Sequence, residues 1–383
     1  MVDKKNYKKL PIYLNKKEGE YIDKLDIVNN FPNNFLIVEN DNKKIEYATT
    51  SGTTSNRMEI IRKKNWWKDE YKRTYQNSPL LKEYLEKEYN KAIFTTAQCS
   101  NLMCFMDNLP MEKRIINNTL YVNSTFNPWT WTKENIENIT NEMNIFKPYY
   151  LDADPVYLAI YLLLYKKYKI KEKLYIPKVI TLSYEYVSKN IRKFIENFYN
   201  TTILNLYGTT ECGYVFIEDV DGKMKLCPEL IDVKLKLVDK KNNIYSLIID
   251  SLKNEYMPLI NYKVGDMVEV TEEDFNKFDK EYKITRMAGR EKDYEKIQIP
   301  ITVIDDIMSK FNNILIYQIQ YISEDKAILK YETQDFEDIE NKVKEEIKSL
   351  LYNVGITNVE IKHVPAISPE RSGKFAIFKF EED

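Results

Sequence analysis

Residues 202–211 of this 383-residue chain read TILNLYGTTE, and this stretch indicates the fold most directly. The run TILNL has the composition of a buried strand, and YGTTE follows it at once. Two hydroxyl side chains and the carboxylate of Glu211 therefore stand at the carboxyl end of a strand, where α/β sheets bind ligands. Taken alone, an exposed loop acid explains Glu211 better than a ligand-binding one.

Strand-like and helical segments alternate on both sides of this stretch. Further runs with strand composition occupy 34–40, 91–97, 120–125 and 178–184. Helical spacing of apolar residues occurs at 65–75, 156–168 and 186–199. The alternation predicts an α/β core with substantial parallel pairing.

The pattern changes twice toward the C-terminus. From about Met224 short strands alternate with turns, which predicts a small antiparallel β region. After Gly289 come a strand pair, a charged helix at 335–354 and two further strands. We therefore predict a large N-terminal domain (1–288) and a small, mobile α+β C-terminal domain (289–383). The connection between them is expected to be short, because no Pro- or Gly-rich linker is present.

Charge and hydrophobicity exclude several classes of protein. The chain has 57 basic and 59 acidic residues, for a formal charge of −2, and no long basic run. This balance disfavours a nucleic-acid partner. No apolar stretch approaches the ~20 residues that span a bilayer, and the N-terminus does not resemble a signal peptide. We expect a cytoplasmic protein without a membrane partner.

The cysteines and the single histidine give little support for metal or nucleophilic chemistry. Cys99, Cys104, Cys212 and Cys227 form no CxxC pair, and His363 is the only histidine. In a cytoplasmic chain this pattern favours reduced thiols over disulfides or a zinc site. One histidine, in a predicted strand, also makes a Ser-His-Asp or Cys-His catalyst a poor hypothesis.

The glycines concentrate beside chemically active side chains. Six of the nine fall in five short islands: TTSGTTS, YGTTECG, YKVGD, MAGREKD and ERSGKF. Glycine is needed where φ is positive or where a ligand approaches the backbone closely. The first island has donors suited to a phosphate, but it lacks the Gly-Lys-Ser/Thr of a P-loop. By itself, a polar turn remains the better explanation of that island.

In this order the five islands closely resemble the motifs of the adenylate-forming (ANL) superfamily. That superfamily includes acyl-CoA ligases, peptide-synthetase adenylation domains and luciferases. The matching segments are 50–54, 207–211, 262–266, 289–293 and 371–374. The short length and early first loop are most similar to the phenylacetate-CoA ligase branch, with its coenzyme F390 synthetase and LuxE-like relatives. Compared with that branch, we expect the N-terminus to be shortened.

The resemblance implies an ATP-dependent acid–thiol ligase with two half-reactions. A carboxylate attacks the α-phosphate of ATP to give acyl-AMP and pyrophosphate. The thiol of CoA or of a phosphopantetheinyl carrier protein then takes the acyl group and releases AMP. Attack of one anion on another requires charge neutralisation, in which Mg²⁺ takes part, more than acid–base catalysis.

The resemblance also assigns residues to the nucleotide. The phosphates of ATP would be held by the first loop, namely Ser51, Gly52, Thr53 and Thr54. The second island would bind AMP through Tyr207 along the adenine, Gly208, Thr209, Thr210 on the α-phosphate and Glu211 on Mg²⁺. Asp266 would accept hydrogen bonds from the ribose hydroxyls, and Arg290 would contact ribose or phosphate.

Two residues near the C-terminus have implied roles in the reaction itself. Lys374, in the RSGK-type motif, would bridge the substrate carboxylate and the α-phosphate as charge develops. Asp293 matches the hinge residue about which the small domain of the family rotates between the two steps. A solvated lysine is the alternative for Lys374, but its ERSG context favours catalysis.

The implied acid pocket is lined by seven residues from separate segments: Thr96, Ala97, Ser183, Tyr184, Leu206, Gly213 and Tyr214. The segment TLSYEYV (181–187) replaces a GGEPL-type segment of the family. A tyrosine at 184 in place of a small residue is expected to narrow the pocket. We expect an aryl or short carboxylic acid as the substrate.

The first loop departs from the family pattern, and this leaves alternatives open. Ser55 replaces a glycine, and Arg57 either substitutes for the usual loop lysine or points to solvent. The altered loop is compatible with a non-catalytic module that binds nucleotide or acyl-AMP. The retained Glu211, Asp266 and Lys374 argue against that alternative. An amide-forming ligase with an amine acceptor is the other alternative.

Overall fold

The structure is a computed structural model that describes residues 10–14, 20–35, 44–50, 57–87, 89–95, 109–122, 125–227, 229–323 and 326–381. Its helices are α1 (Pro11–Leu14), α2 (Lys24–Asn30), α3 (Trp66–Gln76), α4 (Lys82–Lys87), α5 (Lys133–Phe146), α6 (Pro155–Lys167), α7 (Lys189–Phe198), α8 (Glu272–Glu281), α9 (Glu291–Ile297), α10 (Ile301–Met308) and α11 (Asn341–Asn353). Its strands are β1 (Ile45–Thr49), β2 (Glu59–Lys63), β3 (Lys91–Phe94), β4 (Ile115–Ile116), β5 (Thr119–Tyr121), β6 (Tyr150–Ala153), β7 (Val179–Leu182), β8 (Thr202–Thr209), β9 (Gly213–Glu218), β10 (Met224–Leu226), β11 (Ile231–Asp239), β12 (Ile244–Ser251), β13 (Leu259–Glu269), β14 (Lys283–Ile284), β15 (Arg286–Arg290), β16 (Ile314–Ser323), β17 (Lys326–Thr333), β18 (Val359–His363) and β19 (Phe378–Phe380).

The first of two compact units comprises Met1–Glu88 and Leu204–Lys292. Strands β11, β12, β13 and β15 form an antiparallel sheet in that order. A second antiparallel group joins β8, β9, β10 and β14. Apolar side chains from both groups, such as Phe216 and Leu247, pack in one core with Ile60 of β2. The predicted antiparallel β region is confirmed.

The second unit comprises Tyr89–Ile203 and Asp293–Asp383. Strands β5, β3, β6 and β7 run parallel in that order, and β4 is antiparallel at the β5 edge. The parallel pairing predicted for the first part of the chain is therefore present. Helix α6 is buried along most of its length, which its uniformly apolar sequence permits. Asp154 is its N-cap and Pro155 its first residue, a combination that starts helices efficiently.

The C-terminal part of this unit has its own sheet, ordered β18, β17, β16 and β19. The predicted strand pair is β16 and β17, which are antiparallel. The helix predicted at 335–354 begins only at Asn341, so the prediction is wrong for its first residues. There the carboxylate of Asp335 accepts hydrogen bonds from the Glu337 N–H (3.1 Å) and from Asn313 Nδ2 (3.0 Å). These bonds stabilise a turn, in which Phe336 has φ +65°, instead of a helix.

Two further expectations concern the chain as a whole. No helix within the described ranges is long and apolar enough to cross a membrane. Cys212 and Cys227 are buried free thiols, as expected, whereas Cys99 and Cys104 lie outside the described residues. The division into domains at 288/289 stays a prediction.

Candidate functional site

The loop that follows β8 turns sharply into β9 because two glycines allow close backbone approach. A Cβ on Gly208 would lie 2.7 Å from the Gly213 carbonyl oxygen, so only glycine fits there without a shift. Gly213 has φ +77°, and a Cβ on it would lie 2.5 Å from Glu70 Oε1. The polar residues 209–211 are thereby held in a tight turn at the end of β8.

A buried carboxylate on α3 anchors this turn. Glu70, which is fully buried, accepts hydrogen bonds from the Tyr214 N–H (2.9 Å) and from Lys253 Nζ (2.6 Å). Lys253 also donates to the Tyr214 carbonyl, and Arg73 Nη2 lies 3.2 Å from Glu70 Oε2. Buried charges require such partners. The sequence analysis missed Glu70 and Lys253, because nothing in their local sequence marks them.

Three predicted nucleotide residues meet in the first unit. The hydroxyl of Tyr207 donates to Asp266 Oδ2 at 2.7 Å, and Arg290 Nη1 lies 3.1 Å from Asp266 Oδ1. Asp266 and Arg290 are direct partners across β13 and β15, so the pairing of these strands sets their distance. Burial and the neighbouring Asp266 carboxylate raise the pKa of Tyr207 well above its ordinary value. The carboxylate of Asp266 thus has an aromatic hydroxyl on one side and a guanidinium on the other.

Glu211 lies close to this group and is half-buried. The hydroxyl of Tyr262 donates to Glu211 Oε1 at 3.0 Å. Burial raises the pKa of the Glu211 carboxyl, since desolvation disfavours the charged form. A hard cation beside it would offset that cost, and one carboxylate plus phosphate oxygens is a usual environment of Mg²⁺. The donor set therefore fits Mg²⁺, although no group of three metal-binding side chains occurs within the described residues.

Other predicted residues of this loop are positioned by local bonds. Thr209 Oγ1 accepts the Cys212 N–H at 3.1 Å, and Thr210 is half-buried beside it. Leu206 and Tyr214 are buried side chains of β8 and β9. Lys24 of α2, which the sequence analysis missed, contributes a further cation. Its pKa is lowered by burial and by the nearby charge of Arg290, with Glu211 acting in the opposite direction.

In the second unit, the predicted pocket residues Ser183 and Tyr184 converge on Asp152. Ser183 Oγ donates to Asp152 Oδ1 at 2.9 Å, and the hydroxyl of Tyr184 donates to Asp152 Oδ2 at 3.1 Å. Tyr184 has φ +80°, a left-handed conformation that is strained for a residue with a side chain. The structure thus places a strained tyrosine where the family pattern has a small residue.

Asp152 is fully buried and has a buried cationic partner that the sequence analysis missed. Lys91 Nζ lies 3.7 Å from Asp152 Oδ2, and both side chains are almost inaccessible. Burial lowers the pKa of the Lys91 ammonium to about 8, and the Asp152 carboxylate opposes that shift. Lys91 and Asp152 lie on the adjacent parallel strands β3 and β6. Since pairing of these strands is non-local, neither residue was identifiable from its own segment.

Lys374 lies in a short turn that packs against α6 and the loop after β7. The turn is closed by bonds from the Glu370 N–H to the Lys374 carbonyl and from the Gly373 N–H to the Glu370 carbonyl, both 2.8 Å. The hydroxyl of Tyr157 lies 3.2 Å from the Gly373 carbonyl oxygen and 2.5 Å from that of Phe126, and the Phe375 N–H donates to Glu185 Oε2 at 2.6 Å. Both neighbours of Lys374 are therefore fixed, and Lys374 itself is half-buried.

Six predicted residues lie outside the described residues: Ser51, Gly52, Thr53, Thr54, Thr96 and Ala97. Just before the first loop, the Thr50 N–H donates to the Met58 carbonyl at 3.0 Å. Arg57 is exposed. Asp293 is the third residue of α9, and the first compact unit ends at Lys292, immediately before it.

Comparisons with known proteins complement this geometry. No family model matches the chain. Protein CapK of Staphylococcus aureus is 29% identical over 168 residues, which cover 42% of this chain and 35% of that protein. The chain thus matches only about a third of the length of this curated relative.

Solved structures match over much more of the chain. 2-Hydroxyisobutyryl-CoA ligase in its postadenylation state, in complex with R3-HIB-AMP, has a TM-score of 0.67 at 13% identity and covers 94% of this chain and 80% of its own. A benzoate CoA ligase from Burkholderia xenovorans LB400 has a TM-score of 0.57 at 13% identity, covering 83% of this chain and 65% of its own. The chain therefore has the mixed α/β fold of these CoA ligases.

Proposed function

We propose that this protein is an adenylate-forming ligase of the ANL superfamily, which activates a carboxylic acid with ATP and transfers it to a thiol. The observation that carries the proposal is the meeting of Tyr207, Glu211, Asp266 and Arg290 in one unit. These residues come from three separate motifs, and their order in the chain matches the family resemblance. The fold shared with CoA ligases supports the same proposal.

Asp266 is proposed to accept the ribose hydroxyls of the nucleotide. Its two oxygens are already paired with Tyr207 and Arg290, which hold the carboxylate in one orientation. A carboxylate that is fixed in this way binds a diol without reorganising, which reduces the cost of binding. Tyr207 would lie against the adenine, where stacking on an aromatic ring contributes ~1–3 kcal/mol.

Glu211 is proposed to hold Mg²⁺, whose chemistry is to neutralise charge on the phosphates. The hydrogen bond from Tyr262 orients the Glu211 carboxylate. Thr210 would bond the α-phosphate from the adjacent position of the turn. Ser51, Gly52, Thr53 and Thr54 remain proposed ligands of the outer phosphates.

Lys374 is proposed as the catalytic residue of the first half-reaction. Its ammonium would lie between the substrate carboxylate and the α-phosphate and stabilise the charge that develops there. The bonds at Gly373 and Phe375 hold the backbone on both sides of it, so that the ammonium is positioned before the substrate binds. Domain 289–383, which carries Lys374, is proposed to move about Asp293 between the two steps.

The proposed substrate is an aryl or short carboxylic acid. Tyr184 is bonded to Asp152 and occupies the position of a small residue in the related motif. A bulky side chain there leaves less room for a long acyl chain. CoA and a phosphopantetheinyl carrier protein present the same thiol, and CoA is the acceptor named for the structural neighbours. We assign the chain to the phenylacetate-CoA ligase branch on the motif pattern of the sequence.

ATP–pyrophosphate exchange tests the proposal directly, with a panel of acetate, 2-hydroxyisobutyrate, phenylacetate, benzoate, anthranilate and decanoate. We expect exchange with the aryl or short acids and little with decanoate. Lys374→Ala should reduce exchange on the order of 10²–10³-fold, because a positioned charge is lost. It should leave thioester formation from synthetic acyl-AMP largely intact.

Lys379→Ala is the matched control, because Lys379 is an exposed lysine of the same C-terminal segment. This variant should exchange at the wild-type rate. Absence of exchange with every acid, together with retained ATP binding by calorimetry, would overturn the proposed function.

A further inference from the structure

Two carboxyl groups, those of the buried Asp154 and of the half-buried Glu185, lie beside the Lys374 turn and are not part of the reaction described above. Asp154 is fully buried, and its Oδ1 accepts the N–H groups of Val156 (3.0 Å) and Tyr157 (3.2 Å) at the start of α6. Glu185 follows β7 in the segment 181–187. Its Oε2 accepts the Phe375 N–H at 2.6 Å. One oxygen of each carboxyl is therefore engaged with backbone.

The remaining oxygen of each carboxyl lacks a hydrogen-bond donor among the described residues. Asp154 Oδ2 and Glu185 Oε1 are both buried and accept no hydrogen bond from an N–H or O–H group of the described residues. The two carboxyl groups are in hydrogen-bonding contact with one another. Two ionised carboxylates offer only acceptors, so this contact requires a proton on one of them. The geometry is that of a carboxyl pair that shares one proton.

The electrostatics agree with the geometry. Burial and the adjacent Asp154 carboxylate raise the pKa of Glu185 well above its ordinary value. Burial raises the pKa of Asp154 to about 6, and its hydrogen bonds oppose that shift. The ammonium of Lys374 favours the charged form of both groups. Near neutral pH the pair then has one proton and one negative charge, which the Lys374 ammonium stabilises.

The pair is mechanically connected to both sides of Lys374. Glu185 bonds the N–H of Phe375, the residue after Lys374. Tyr157, whose own N–H is bonded by Asp154, has its hydroxyl 3.2 Å from the carbonyl oxygen of Gly373, the residue before Lys374, and 2.5 Å from that of Phe126. Among the described residues, Lys374 on the C-terminal segment is the charged group that acts on both carboxyls. The direct bond of the pair to the lysine turn is therefore the one from the Phe375 N–H to Glu185.

We propose that Asp154 and Glu185 are positioning residues that hold the Lys374 turn in place while they share a proton, and that loss of this proton releases the turn. The inference rests on the proposed function for the role of Lys374, but the docking itself does not depend on that function. Without the shared proton, two carboxylates would be buried side by side. Release of the turn admits water to both charges and relieves their repulsion. The turn is therefore most firmly docked below the pH at which the proton is lost.

Hydrogen exchange of the backbone amides tests the docking without substrate. In the wild type, the protection factor of the peptide spanning 370–377 should fall as the pH rises from 6 to 9. The fall should be ~10-fold per pH unit in the range where the docked pair still holds its proton and the released pair has already lost it. In Glu185→Gln the amide donates to Asp154 and still accepts the Phe375 N–H. In this variant, the protection factor of the same peptide should stay constant within about twofold over the same pH range.

A second amide variant and two controls complete the experiment. Asp154→Asn retains an N-cap side chain and a donor toward Glu185, so it should also show protection that is independent of pH. Glu185→Ala removes the acceptor of the Phe375 N–H and should lose protection at every pH. Glu172→Gln, an exposed carboxyl of the same unit, should behave as the wild type. Far-UV circular dichroism of each variant verifies that it is folded.

The outcomes separate this inference from the proposed function. Wild-type protection that does not change with pH, or an equal pH dependence in Glu185→Gln, would overturn the inference. If ATP–pyrophosphate exchange is present, its rate in the wild type should decline at high pH, and this decline should be smaller in Glu185→Gln. Glu185→Ala should lose ATP–pyrophosphate exchange but retain thioester formation from acyl-AMP. Absence of ATP–pyrophosphate exchange with every acid contradicts the proposed function. The hydrogen-exchange result then decides separately whether the Lys374 turn is docked as proposed.

Discussion

Tyr184 shows how a single residue departs from a local rule at a candidate site. Its φ of +80° is a conformation that glycine adopts freely and that costs other residues on the order of 1–3 kcal/mol. The hydrogen bond from its hydroxyl to the buried Asp152 compensates for part of this cost. The sequence shows a bulky tyrosine where the related motif has a small residue, but it gives no indication of the backbone strain at this position.

We predict that Tyr184→Gly widens the range of acids that the enzyme activates. Glycine relieves the backbone strain and removes the ring that is proposed to close the pocket. The kcat/KM for acids one or two methylenes longer than the best wild-type substrate should rise at least ~10-fold, the usual effect of a methylene in an apolar pocket. ATP–pyrophosphate exchange over a series of chain lengths measures this change.

Tyr184→Phe is the matched control, since it keeps the ring and removes only the bond to Asp152. Its preference for short or aryl acids should remain that of the wild type. An unchanged chain-length profile in Tyr184→Gly would show that residue 184 does not line the pocket.

At the scale of elements, the passage from β15 to α9 connects the proposed nucleotide-binding residues with the proposed mobile domain that carries Lys374. Arg290 ends β15 and is paired with Asp266, and α9 begins at the next residue. The first compact unit ends at Lys292. A hinge at Asp293 would lie at this limit, and its motion would require a change in the backbone angles of α9.

We predict that Asp293→Pro separates the two half-reactions. Asp293 is the third residue of α9 and lies in its first turn, where proline is tolerated better than in the interior of a helix. Proline fixes φ near its helical value there but prevents rotation about that bond. ATP–pyrophosphate exchange should therefore continue, while thioester formation slows at least ~10-fold, or ~1.4 kcal/mol of barrier.

Asp293→Ala removes the same carboxylate without restricting φ and serves as the comparison. It should retain both half-reactions more fully than the proline variant. If Asp293→Pro loses ATP–pyrophosphate exchange, the hinge is not at this residue.

At the scale of the whole molecule, stability depends on three apolar cores and on the charges buried beside them. One core belongs to the first unit, and two lie in the second. Glu332 of β17 is a fully buried carboxyl whose oxygens accept no hydrogen bond within the described residues. His363 Nε2 lies 3.9 Å from Glu332 Oε1. Burial raises the pKa of Glu332 to about 7.

We predict that Glu332 makes the protein less stable as the pH rises. The folded state retains the proton up to about pH 7, whereas the unfolded chain loses it near its ordinary value of 4.5. Stability therefore falls across this window. Glu332→Gln, which cannot ionise, should melt close to the wild type at pH 5 and ~5–10 °C higher at pH 7.5. This is the shift expected for roughly 2–3 kcal/mol in a unit of this size, since one pKa unit corresponds to ~1.4 kcal/mol.

Differential scanning fluorimetry at the two pH values measures this effect. Glu360→Gln is the matched control, because Glu360 is an exposed carboxyl on the adjacent strand β18. It should change neither melting temperature. Equal melting temperatures of Glu332→Gln and the wild type at pH 7.5 would contradict the prediction.

The sequence by itself determined the features that depend on local pattern. The strand at 202–208, the antiparallel β region and the parallel α/β part were predictable, because periodicity and turn residues act over short distances. The order of the glycine islands also predicted which residues meet in the first unit, through a family resemblance. The start of α11 was not predictable, since the turn that delays it requires Asn313 from another segment.

Only the tertiary structure decided how the charges around these residues are paired. Glu70 and Lys253 are 183 residues apart and form a buried ion pair, and Lys91 meets Asp152 through parallel pairing of β3 and β6. Asp154 and Glu185 come together from the segments that follow the parallel strands β6 and β7, and there the proposed shared proton takes the place of an opposite charge. Packing selects such partners because a buried charge is tolerated only beside its complement, and no local pattern specifies where that complement comes from.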